Sequence, residues 1–116
     1  LHELGITAVV QLAYEEAPVA LPREFVNCRF PLLDGADTEP ETIRLAIHCL
    51  TQLLERKFAT LVCCHAGMSR SPGIAAAALA RMTAQPLVSC LEHIASCRPI
   101  QVHLGFFEQL QILCAE

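Results

Sequence analysis

Short apolar runs rich in β-branched residues alternate along this chain with longer stretches whose apolar positions recur every three or four residues. Ile6 to Ala13 (ITAVVQLA) follows Gly5 and reads as a buried strand. Phe25 to Leu33 (FVNCRFPLL) reads as a second extended segment, with Pro31 near its end. Asp34-Gly35-Ala36-Asp37 then brings the residue types of a turn. Thr38 to Glu41 has the T-x-x-E form of a capping box with Pro40 inside it, so a helix is expected to open there. Ile43, Ile47, Leu50 and Leu54 follow at spacings of 4, 3 and 4, which is one apolar helix face. Arg56-Lys57 closes that helix with the charge its C-terminus favours.

Thr60 to Cys63 (TLVC) is a short buried strand, and an alanine-rich helix is expected behind it, running to about Met82. Pro72 suits the first turn of that helix, where its missing N–H leaves no bond unmade. Residues 86 to 97 and 104 to 115 read as two more helices, separated by Arg98-Pro99. The order strand, strand, helix, strand, three helices predicts an α/β fold in one domain spanning 1–116, with a mainly parallel central sheet flanked by helices. Open sheets of this kind hold ligands at the C-terminal edge of their strands, which here means just beyond Cys63.

Composition narrows the function classes. With 53% hydrophobic and 17% charged residues among 116, the chain can build a core and is not of the disordered class. The net charge of −4, without a Lys/Arg cluster, argues against nucleic acid or an anionic membrane surface as the main partner. No apolar run reaches the ~20 residues needed to cross a bilayer, and no secretory leader is visible. The chain starts at Leu1, so upstream residues are expected to be missing. Seven cysteines show no paired zinc spacing, and Cys49, Cys90, Cys97 and Cys114 lie among apolar residues, where small buried thiols are expected. A reducing cytoplasm is the simplest compartment for them.

The chemistry concentrates in Cys64-His65-Ala66-Gly67-Met68-Ser69-Arg70-Ser71-Pro72, between the TLVC strand and the alanine-rich helix. A thiol and a guanidinium six positions apart around a glycine make a site for attacking a phosphate ester. Successive backbone N–H groups of such a loop turn inward around an anion, and the helix N-terminus adds partial positive charge. Arg70 supplies a planar fork for two phosphate oxygens. The same field is expected to lower the pKa of Cys64 and make it a nucleophilic thiolate.

This segment resembles the signature loop H-C-x-x-G-x-x-R-[ST] of the dual-specificity branch of the cysteine-based protein phosphatases. The likeness runs along most of the chain. Leu4-Gly5-Ile6-Thr7-Ala8-Val9-Val10 resembles the family's L-G-I-T-x-V strand, and Phe30-Pro31-Leu32-Leu33-Asp34 its strand and acid loop. Arg98-Pro99 and Gly105 to Leu110 (GFFEQL) resemble its last two helices. The family's first strand or strands have no counterpart. The resemblance implies a phosphotyrosine phosphatase-like fold, and Cys64 as the nucleophile with Arg70 as the phosphate clamp. It also implies His65, Ala66, Gly67, Met68, Ser69 and Arg70 as the phosphate cradle, and Ser71 as the hydroxyl that bonds the thiolate.

A leaving oxygen also needs a proton, and Asp34 and Asp37 are the candidates. Asp34 is favoured because it follows Pro31-Leu32-Leu33 and lies 30 positions before Cys64, as the resemblance implies, whereas Asp37 has a structural role available near a helix start. The expected activity is phosphomonoester hydrolysis on phosphoproteins, at Tyr and Ser/Thr, through a cysteinyl phosphate, with no metal and no cofactor. The alternative is a phospho-binding pseudophosphatase, which Cys63 favours by standing where the family carries His. Cys63 is expected to be a strand-end residue and not half of a vicinal disulfide with Cys64. His103 falls where related sequences often carry Asn, and no chemistry is assigned to it.

Overall fold

The computed structural model describes residues 5–35, 37–64 and 69–116. Three strands form one sheet: β1 (Ala8–Ala13), β2 (Val26–Leu32) and β3 (Thr60–Cys63), in the order β2-β1-β3. Both pairings are parallel, with Ala8 opposite Val26 and Thr60, and Gln11 opposite Arg29 and Cys63. The centre falls to β1 because it is the strand with no exposed position. A central parallel strand is covered on both faces, which suits an uninterrupted apolar run such as AVVQLA.

Helix α1 (Pro40–Glu55) carries the chain from β2 past β1 to β3, and α2 (Arg70–Thr83), α3 (Leu87–Ala95) and α4 (Leu104–Cys114) follow. Ala8, Val10 and Leu12 join Ile43, Ile47, Leu50, Ile74, Phe106 and Leu110 in one core, so alternate residues of β1 face the helices. On the other face, Gln11 is satisfied by the segment after β1. Its Oε1 accepts the Val19 N–H at 3.0 Å, and its Nε2 donates to Asn27 Oδ1 at 2.6 Å. Three parallel strands end at the same edge, which gathers the segments after Ala13, Leu32 and Cys63.

The alanines of α2 let it pack closely, and Gly73 marks the tightest point. A Cβ there would stand 2.7 Å from Phe106 Cε2 and 3.0 Å from Leu110 Cδ1. The α4 aromatic therefore presses directly on the backbone of the helix that opens at Arg70.

Two local expectations are corrected. Thr38 does not cap α1: its Oγ1 accepts the Leu33 N–H at 2.8 Å and donates to the Leu33 carbonyl at 3.2 Å. The hydroxyl closes the 33–38 loop instead, and Glu39 becomes the cap, its carboxylate accepting the Glu41 N–H at 3.5 Å. The second correction concerns the cysteines. Cys90 is buried and Cys49 half-buried, but Cys97 and Cys114 are exposed, because one lies past the end of α3 and the other in the final position of α4.

Candidate active site

Cys64 stands one residue beyond β3, at the edge where all three strands end. The backbone N–H of Ser71 donates to its Sγ at 3.3 Å, and Ser71 Oγ lies 3.5 Å from the same sulfur. Ser71 is the second residue of α2, so this amide is one of the N–H groups that a helix start leaves unpaired. A negative sulfur is thereby met by a hydrogen-bond donor and by the positive end of the helix dipole. The expected cradle positions His65, Ala66, Gly67 and Met68 lie outside the described residues. Ser69, the last of the loop, accepts the backbone N–H of His103 on its Oγ at 3.0 Å.

Arg70 opens α2 and is only 3% exposed, an unusual place for a guanidinium unless it is paired. Its partner is Glu15, two residues past β1. Nη1 donates to Oε1 and Nη2 to Oε2, both at 2.6 Å, and Nη1 also donates to the Leu32 carbonyl at 2.9 Å. The hydrogen bond to Glu15 raises the Arg70 pKa against the opposing effect of burial, and the charges of Glu15, Cys64 and Asp34 act in the same upward direction. The sequence reading assigned no role to Glu15. The available signal was an acidic pair, Glu15-Glu16, directly after a buried strand that ends at the ligand edge.

Asp34 is exposed two residues past β2, and its charge raises the Arg70 pKa; Asp37 is also exposed. The loop carrying both is held at its base by Thr38 and from outside by α4, whose Gln109 Nε2 donates to the Thr38 carbonyl at 3.1 Å. Gly35, at φ +116°, occupies a conformation that side chains disfavour, and a Cβ there would meet Cε1 and Nε2 of His103 at 3.8 Å.

Cys63 sits in the sheet, its thiol donating to the Val10 carbonyl at 3.7 Å. Burial, and after it the neighbouring Cys64, pushes its pKa up. Both cysteines are free thiols and line a recess of about 190 Å³ whose walls include Val19 and Arg29. The expected histidine position thus holds a neutral group bonded to β1. Among the described residues, no group of three or more His, Cys, Asp or Glu is placed to hold a metal ion. No described helix is long and apolar enough to cross a membrane.

The architecture matches solved structures closely. Human DUSP28 superposes with a TM-score of 0.85 at 22% identity, covering 98% of this chain and 80% of that one. This is the dual-specificity phosphatase fold. DUSP15 gives a TM-score of 0.82 at 23% identity, over 97% of this chain and 72% of that one. A human tyrosine phosphatase-like serine/threonine/tyrosine-interacting protein gives 0.82 at 20% identity, over 98% and 80%. No family model and no curated protein matches the sequence.

Proposed function

We propose that this dual-specificity phosphatase-like domain hydrolyses phosphomonoesters of phosphoproteins, at Tyr and Ser/Thr, through a cysteinyl phosphate. The observation that carries the reading is the pairing of Cys64 and Arg70 at one helix start. The sulfur is held by Ser71, and the guanidinium is fixed edge-on by Glu15. Of the five N–H donors of a guanidinium, three are engaged by Glu15 and Leu32. The Nε–H and the second Nη2–H lie along another edge of the same plane, a fork that suits two phosphate oxygens.

In the first step the Cys64 thiolate attacks phosphorus, the P–O bond to the leaving group breaks, and Asp34 gives that oxygen its proton. Arg70 and the amides of residues 65 to 70 stabilise the charge on the equatorial oxygens. In the second, water attacks the phosphorus, Asp34 takes the water proton, and the S–P bond breaks. Ser71 stabilises the departing thiolate through its hydroxyl. Neither a metal nor a cofactor enters these steps. The free thiols fit a reducing cytoplasmic setting, and the proposed partner is a phosphoprotein or phosphopeptide.

A second reading is favoured by Cys63, whose neutral thiol is bonded to β1 in the position where the family resemblance predicts an imidazole. It is a phospho-binding domain with the same cradle and no effective turnover. Release of phosphate from p-nitrophenyl phosphate and from phosphotyrosine and phosphothreonine peptides separates the two. Turnover lost in Cys64→Ser supports the hydrolase. Tight phosphopeptide binding without turnover by the wild-type protein overturns it.

A further inference from the structure

We propose that His103 is a positioning residue of this site, a strut that holds the Asp34 loop against the end of the anion loop; this rests on the hydrolase reading for its effect on catalysis. Two hydrogen bonds and one close approach converge on the one residue. Its backbone N–H donates to Ser69 Oγ at 3.0 Å, one residue before Arg70. Its Nδ1 accepts the Gly105 N–H at 3.1 Å and so caps α4. Because Nδ1 is an acceptor there, the ring proton of this tautomer lies on Nε2. The Nε2–Cε1 edge faces Gly35, the residue directly after Asp34, at the distance of ordinary contact with a Cβ built there.

The geometry explains why a ring is useful at this position. Thr38 ties the 33–38 loop to itself, and Gln109 ties the base of that loop to α4. These contacts hold Leu33, directly before Asp34, and Thr38 at the far end of the loop. His103 stands on the other side of Asp34, its ring edge beside Gly35, and is itself fixed twice, by the serine that ends the anion loop and by the first turn of α4. The α4 start is in turn held in place by Phe106 pressing on Gly73 of α2. A carboxyl group on an exposed loop is thereby referred to the same helix that carries Arg70 and holds Cys64. An asparagine at 103 could still accept the Gly105 N–H and cap α4, but it lacks the ring edge that stands beside Gly35.

The strut is tested with His103→Ala and His103→Asn on a series of aryl phosphates from activated nitrophenyl esters to phenyl phosphate, with amide hydrogen exchange on the same proteins. A displaced acid matters most where the leaving group needs its proton. Both variants are therefore expected to lose about 10-fold in kcat on phenyl phosphate and little on the activated esters. His103→Asn is expected to keep the wild-type Tm while the 33–38 amides exchange faster and those of β1 do not. Equal losses across the ester series, or unchanged exchange at 33–38 in both variants, overturns the strut. Wild-type protein silent on every ester overturns the hydrolase reading instead, and the exchange data then still decide whether His103 holds the loop.

Discussion

The two loops that meet at the candidate site are held in opposite ways. The segment after β3 is anchored at its described ends: Arg70 is buried, ion-paired and bonded to a strand carbonyl, and Cys64 takes an amide from the helix that follows. The loop after β2 exposes Asp34 and Asp37, is closed on itself by Thr38 and is held from outside by Gln109 of α4, with the His103 ring beside it. The difference matches the work proposed for each. An anion cradle gains from being rigid before the substrate arrives, because its dipoles then need no reorganisation. An acid that must reach a leaving oxygen and later a water can sit on a segment with fewer fixed contacts.

The comparison breaks most sharply at Cys64. Cys64→Ser is expected to lower aryl phosphate turnover by at least about 10³-fold, with the circular dichroism of the fold unchanged. Near-wild-type turnover by that variant sinks the nucleophile assignment. Next come the two members of the Arg70–Glu15 ion pair. Arg70→Lys keeps the charge but loses the fork, and a fall of about 10²-fold in kcat/KM is expected. Glu15→Gln, tested beside it, is expected to cost about 10-fold in kcat/KM by loosening the guanidinium. Its effect on stability should stay within about 1 kcal/mol, since Glu15 is 46% exposed and its attraction is screened. Urea unfolding of the same proteins separates the two effects.

The outer loop is sharpened by a direct contest. Asp34→Ala is expected to lower kcat on phenyl phosphate by about 10²-fold, and Asp37→Ala to leave it close to wild type. The reverse order would hand the acid role to Asp37. The smallest effect lies away from both loops. Cys49 on α1 is pushed up to about 11 by burial and then by the adjacent Cys28 on β2. The unfolded chain gives up that thiol proton near pH 9, before the folded one does. The stability this contributes is full below pH 9 and is lost as pH rises toward 11. Thermal melts between those values should show Tm falling in the wild type and falling less in Cys49→Ala.

Much of this was legible along the chain because it is local. A C-x5-R spacing between a strand and an alanine-rich helix is set by adjacent residues, and the β3–loop–α2 order follows it in the structure. Buried strands announce themselves by apolar runs, and AVVQLA is indeed the strand with no exposed residue. The mistakes came where a side chain had two local uses. Thr38 fits a capping box by spacing, yet its hydroxyl closes the loop back to Leu33, a choice that depends on where β2 ends relative to α1. Cys97 and Cys114 have apolar neighbours, but their exposure is decided by where α3 and α4 stop.

Sequence alone therefore determined the element order and the parallel α/β class, and it singled out the thiol and guanidinium that flank one loop, all of which depend on spacing between near neighbours. Only the tertiary structure showed which carboxylate pairs with the guanidinium. Glu15 reaches Arg70 across 55 positions, and the charge of Asp34 also raises the Arg70 pKa. Parallel strands must deliver three distant segments to one edge before those charges meet, and no local pattern encodes their arrival.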